Sequence, residues 1–329
     1  MLSNDTIIMK PPYSITAGIL SMVASISEKI GVIKTAYLTQ PAARLRKQNR
    51  IKTIQSSLEI EGNTLSEKQV TDILEGKRVI APKKDILEVK NAIAAYQAME
   101  SFKPYSLVSL CVAHKILMKG LVDNAGQLRT AGVGVMKGSK VMHMAPPASR
   151  VRGHLEKLID YAKRHEDLML IKSCVFHYEF EFVHPFLDGN GRMGRLWQTV
   201  LLRQQYPVFD FLPMEGLVKK RQADYYHALS ESDKKGDSTG FVEFMLTVMD
   251  DSLDELLDTQ PESPTAEDRI MVFQSIVQKA SFGRKEYMRH FKNISTATAS
   301  RDLRQAVDRE ILVKAGDGRM SLYSFAAHL

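Results

Sequence analysis

The stretch HPFLDGNGRMGR, His184 to Arg195, gathers an imidazole, a carboxylate, an amide, several glycines and two guanidiniums. Little of it can build a core, and each group suits phosphate chemistry. Glycines ahead of a helix let main-chain N–H groups converge on an anion, and the helix dipole adds positive potential there. Arg192 and Arg195 are three apart, so both reach the same ligand from one helical face. Asp188 would repel a phosphate unless a divalent cation bridges them, and Mg²⁺ takes one carboxylate with phosphate and water oxygens. His184 is the group able to take a proton near neutral pH. The residues read as a polyphosphate–Mg²⁺ site beside a general base.

Two helices must position these groups. In MLIKSCVFHYEFEFV, residues Ile171, Cys174, Val175, Tyr178 and Phe182 recur at helical spacing, which brings His184 to the helix end. Pro185 stops continuation. Downstream, Leu196, Val200 and Leu201 predict a second helix starting near Gly191 to Arg192. Gly189, Gly191 and Gly194 also satisfy G-x-G-x-x-G, with Asp210 about twenty residues on, as a dinucleotide site would have. Against that reading, Asp188 would face a pyrophosphate with no metal, HPFLD intervenes before the first glycine, and no repeated βαβ pattern surrounds it. A merely capped polar loop would need fewer of these residues.

The twelve residues resemble the motif of the Fic family (Fic/DOC), H-x-F-x-D/E-G-N-G-R-x-x-R, at every specified position. The resemblance implies a protein adenylyltransferase that moves AMP from ATP to a Ser, Thr or Tyr hydroxyl and releases pyrophosphate. It implies His184 as the base, Phe186 as the anchor of the loop in the core and Asp188 as the Mg²⁺ ligand. Gly189, Asn190 and Gly191 would form the anion hole, and Arg192 and Arg195 would hold the β- and γ-phosphates. A β-hairpin flap over residues 133–145 would pin the target by main-chain pairing. In RQADYYHAL, Tyr225 and Tyr226 would line the nucleotide pocket; the asparagine that often follows in the family is replaced by SESDKKGD, so no adenine contact is carried over there.

The stretch SSLEIEGN resembles the family's inhibitory motif, with Ser57, Glu61 and Gly62. Ser57 and Glu61 share a helical face, and Gly62 is a natural terminator. A capped surface helix alone would also explain the pattern. By resemblance, Glu61 pairs with Arg195 and displaces the γ-phosphate, which implies low basal activity; in some relatives the same glutamate supports removal of AMP.

The rest of the chain frames these motifs. It has 329 residues and a net charge of +7, which tolerates anionic partners without demanding them. The expected class is all-α, a predominantly helical Fic fold with a small hairpin flap, followed by a C-terminal winged-helix-like unit. The expected divisions are residues 1–100, helical and inhibitory; 101–255, the catalytic core; 256–266, a linker; and 267–329, the winged-helix-like domain. Within the N-terminal region, Thr64, Ser66 and Pro82 predict helix boundaries, and Ile15, Ile19, Leu20, Val23 and Ile26 predict an amphipathic helix rather than an export signal.

Cys111 and Cys174 read as inert buried thiols. No apolar run approaches membrane-spanning length, so a cytoplasmic protein with no membrane partner is expected. From residue 265 on, eleven basic and seven acidic residues leave a mild positive charge. There Leu303, Val307, Ile311 and Val313 should face the core, while Arg301, Arg304 and Arg319 could meet DNA phosphates; the same unit could instead bind a protein. The partners expected are an unknown target protein and the chain itself by self-modification; the sequence sets no oligomeric state and leaves a homodimer open. Alternatives are a DNA-binding regulator whose Fic site senses nucleotide, or a Fic enzyme that removes AMP or transfers another phosphate-containing group.

Overall fold

The computed structural model describes residues 10–35, 43–137, 140–258, 266–277, 281–291, 294–316 and 321–326. The chain divides into two compact units, residues 1–32 with 47–256 and residues 33–46 with 257–329. Residues 47–100 therefore share a unit with the helices that follow them.

The first unit is almost wholly helical. Its elements are α1 (Ala17–Thr35), α2 (Ala43–Ile60), α3 (Glu67–Leu74), α4 (Lys83–Gln97) and α5 (Leu107–Leu117), then the hairpin β1 (Gly134–Lys137) and β2 (Lys140–Met144). After it come α6 (Ala148–Arg164), α7 (Met169–Val183), α8 (Asn190–Leu202), α9 (Met214–Lys220), α10 (Gln222–Lys235) and α11 (Thr239–Asp258). Local signals set several boundaries. Ser66 caps α3 in a reciprocal capping box with Gln69, and Pro82 precedes the first turn of α4. Gly236, at φ 62°, closes α10 in the left-handed conformation.

The pair α7 and α8 forms the centre of this unit. Nearly every residue of both is buried, including Phe176, Phe180, Trp197 and Val200. A helix apolar on all faces belongs inside a fold, so the single face expected for α7 understated its burial. Trp197 stacks on Phe102 at 6.1 Å, and its indole N–H donates to the Pro104 carbonyl at 3.1 Å.

Other expectations needed correction. Ile15 precedes α1, and both Ile15 and Leu20 are exposed; the buried stripe is Ile19, Val23, Ile26, Ile30 and Ile33. Cys174 is buried, and burial pushes its thiol up to about 12, whereas Cys111 is only partly covered.

In the second unit the order is α12 (Ala266–Ile276), β3 (Phe282–Gly283), α13 (Arg284–His290), α14 (Thr296–Asp308), β4 (Leu312–Ala315) and β5 (Leu322–Phe325). The strands form an antiparallel sheet ordered β3-β5-β4. Phe273, Phe282, Tyr287 and Leu303 anchor its core, and a two-bond ion pair from Arg269 to Asp302 (2.6 and 2.8 Å) ties α12 to α14. Val313 is exposed, unlike Leu303; it lies on β4, where Leu312 alone of the four residues is buried. Arg301 and Arg304 lie exposed on α14, while Arg319 and linker residues 259–265 fall outside the described residues. Among the described residues no helix is long and apolar enough to cross a membrane.

Candidate active site

Helix α7 ends at Val183, one residue before His184. His184 caps it at φ 47° and ψ 62°, a left-handed conformation unusual for a side chain with a Cβ. The Nδ1 of its imidazole lies 3.3 Å from the Glu181 carbonyl. A carbonyl only accepts, so Nδ1 carries the proton in the neutral ring and Nε2 is the basic nitrogen.

The loop that follows is held from inside and from behind. Asn190 receives the Phe186 N–H on its side-chain oxygen and donates its amide to the Phe186 carbonyl, both at 2.9 Å. Its side chain therefore braces the loop. Phe186 is fully buried and stacks on His114 with ring centroids 3.6 Å apart. His114 Nδ1 accepts the Gly126 N–H at 2.8 Å, so Nε2 donates to the Asp188 carbonyl at 2.9 Å. Burial holds this imidazole down at about 4, neutral at ordinary pH. Gly189 has φ 81°, and a Cβ there would stand 2.6 Å from the Met118 sulfur, so only glycine fits.

The first turns of α8 carry the charge. The half-exposed Asp188 carboxylate accepts the Gly189 N–H at 2.6 Å and Arg192 at 3.2 Å through the same oxygen. Its second oxygen has no partner among the described residues, which suits a Mg²⁺ ion that takes one carboxylate oxygen. Buried Arg192 also reaches Glu88 of α4 at 3.2 Å, and its Nε is a buried donor without a partner. Arg195, still more deeply buried, reaches back to α2. It donates to the Ser57 hydroxyl at 3.2 Å, the Ser57 carbonyl at 2.9 Å and the Glu61 carboxylate at 2.7 Å. A Cβ on Gly191 would collide with that same Glu61 oxygen. One carboxylate is thus already seated between Arg195 and the main chain at the N-terminus of α8, so the cradle accepts an oxyanion. Gly62, at φ 92°, ends the segment, and Asn63 donates to Glu88 at 2.8 Å.

The two tyrosines part ways. Tyr225 is buried with its hydroxyl 3.1 Å from His177 Nε2, whereas the Tyr226 ring is partly exposed. Only Tyr226 offers a surface to a ligand. Sequence reasoning missed Glu88, His114, Arg129 and Glu181. Glu181 lies one turn before His184 on α7, and burial pushes its carboxyl up to about 8 against the opposing pull of Arg195. One of its oxygens is buried without a partner, as a neutral acid tolerates better than a carboxylate.

Comparison with known proteins places this geometry. Residues 104–202 match the model of the Fic/DOC family. Curated relatives include a protein adenylyltransferase Fic of Drosophila willistoni, 27% identical over 70% of this chain and 47% of its own length. Another is the protein adenylyltransferase fic-1 of Caenorhabditis briggsae, 30% identical over 61% of this chain and 40% of its own. The chain thus spans less than half the length of these relatives. Among solved structures, Fic-1 of C. elegans shares the fold at TM-score 0.57 and 21% identity. A Fic family protein from Desulfovibrio desulfuricans G20 is 39% identical, with a TM-score of 0.74, and the match covers 97% of this chain and 99% of that one. Matched to that relative from end to end, the chain belongs to the Fic family.

Proposed function

We propose that the chain is a protein AMP transferase, restrained by its own Glu61. The observation that carries the reading is the Glu61 carboxylate seated on Arg195 and against Gly191. An anion in that cradle marks where a phosphate would lie and competes with it. The partnerless Arg192 Nε is a second mark of an absent acceptor. The names of the curated relatives agree in class.

In this reading the main chain of Gly189, Asn190 and Gly191, with Arg192 and Arg195, binds the phosphates of ATP. Asp188 would hold Mg²⁺, which would offset phosphate charge. His184 Nε2 takes the proton of a Ser, Thr or Tyr hydroxyl as that oxygen attacks the α-phosphorus. The bond from the α-phosphorus to the bridging oxygen breaks, and pyrophosphate leaves. Arg195 cannot serve Glu61 and a phosphate equally, so a nucleotide bound while Glu61 stays in place is bound unproductively.

Intact-protein mass spectrometry of Glu61→Gly after incubation with ATP and Mg²⁺ tests the chemistry without a known target. One added AMP that disappears in Glu61→Gly/His184→Ala is the expected result, since general-base catalysis contributes about 10²–10⁴-fold. A phosphate adduct in its place, or AMP addition independent of His184, contradicts it.

A second reading concerns the C-terminal unit alone. Its helices followed by a small antiparallel sheet, with Arg301 and Arg304 exposed on α14, support a winged-helix unit that meets DNA. Failure of the full chain to shift any duplex at low ionic strength, where such binding is tightest, would remove it.

A further inference from the structure

Arg129 is the most unusual cation in the first unit. It is only 2% exposed, yet among the described residues all of its side-chain hydrogen bonds end on main-chain carbonyls and none on a carboxylate. Its Nε donates to His184 at 2.7 Å and one Nη2 bond goes to Val183 at 3.1 Å. The other guanidinium bonds reach Ala131 at 2.9 Å and Pro146 at 2.5 Å. The Arg129 main-chain N–H adds the Pro185 carbonyl at 2.9 Å. Three consecutive carbonyls, 183 to 185, therefore accept from one residue.

Those acceptors fall into two groups. Val183 and His184 end α7, where carbonyls lack helical partners and the dipole attracts a cation. Ala131 precedes β1 and Pro146 follows β2, so they stand on the two legs of the hairpin. Only a planar fork of donors in fixed directions meets all four; a lysine ammonium is a single point with three donors. Burial holds the guanidinium below its ordinary range, and among the described residues the carbonyl dipoles are what compensates it.

We propose that Arg129 is a positioning residue: its guanidinium fixes both legs of the β1–β2 hairpin to the end of α7 that presents His184. Hairpin and base then keep one geometry. His184 stays in its left-handed conformation because the carbonyls around it are fastened to a buried cation. A target segment laid along the hairpin would meet Nε2 in a set place, a consequence that rests on the transferase reading above.

The test is Arg129→Lys in the Glu61→Gly background. The rate of AMP transfer at saturating ATP should fall about tenfold or more, as for a misplaced base. ATP affinity and the folded fraction by circular dichroism should stay near those of the parent. An unchanged rate per folded molecule overturns the proposal, and so does a loss of rate and ATP affinity together, which marks general damage. If the parent adds no AMP, the transferase reading has failed, and hydrogen exchange decides on Arg129 separately. In the wild-type protein, peptides spanning residues 130–146 and 180–186 should open in one step as denaturant rises; the same experiment serves if the lysine variant does not fold. Separate denaturant dependences for the two peptides overturn the coupling.

Discussion

Two buried arginines grip the two ends of the same loop, and they do it differently. Arg129 holds the α7 end through carbonyls that belong to the main chain. Arg195 holds the α8 end through Ser57 of α2 and a partly exposed carboxylate, Glu61, one residue past the end of that helix. No acceptor in the first set can turn away without moving the hairpin or the helix. The second contains one contact, Arg195 to Glu61, that a rotation of Glu61 would break. Under the proposed function the first set is scaffold for the base, and the second is the control that opens and closes the anion cradle.

Substitutions on the two sides should therefore show in different measurements. The largest effect is expected at the cradle. In the Glu61→Gly background, Arg195→Ala should weaken ATP binding by about 2 kcal/mol, the scale of a hydrogen bond to a charged group. Titration calorimetry with ATP and Mg²⁺ checks it, and an undiminished affinity would break the comparison. On the scaffold side, Asn190→Ala removes both bonds to the Phe186 main chain and leaves buried groups unsatisfied. A loss of about 1–3 kcal/mol in denaturant unfolding is expected, with or without Glu61. A loss of transfer with no loss of stability would move Asn190 to the cradle side.

The smallest effect concerns Glu181, which lies between the two regions. Its carboxyl keeps its proton up to about pH 8 in the fold, while the unfolded chain releases it near the ordinary 4.5. The folded state binds more protons across that window, so this group's contribution to stability falls as pH rises from about 4.5 to 8. Glu181→Gln, neutral throughout, should gain stability relative to wild type between pH 5 and pH 8. A constant difference across that range would show that Glu181 ionises normally. His114 has the opposite sign: held down at about 4 in the fold, it makes stability fall as pH drops below about 6.5.

Much of the cradle was legible in the sequence because its groups are contiguous. His184, Asp188, Arg192 and Arg195 sit on one loop and one helical turn, and Ser57 lies on the last turn of α2 with Glu61 one residue past its end, so spacing alone brings each set together. The scaffold was not legible. Arg129 is an arginine in an irregular segment, and its meaning lies in carbonyls 2 to 55 residues away in the chain. His114 looked like an ordinary helix residue, and nothing local says that its ring lies flat on Phe186. Glu88 read as part of a charged helix, though it reaches Arg192 from 104 residues away. Tyr225 and Tyr226 read alike in the sequence, since an aromatic pair in a helix says nothing about which ring turns inward; the structure buries Tyr225 and leaves Tyr226 exposed. The helices themselves were readable from capping and periodicity, α7 included; what its period did not tell is that nearly every face is buried.

The central claim is that Glu61 restrains the site by occupying Arg195. The direct measurement is a time course of AMP incorporation by wild type and Glu61→Gly side by side, at ATP and Mg²⁺ concentrations shown to saturate both. The account predicts that both bind nucleotide and that the glycine variant incorporates AMP about 5- to 150-fold faster, the range expected for a coupling of 1–3 kcal/mol. Equal initial rates, with nucleotide bound in both, would contradict it.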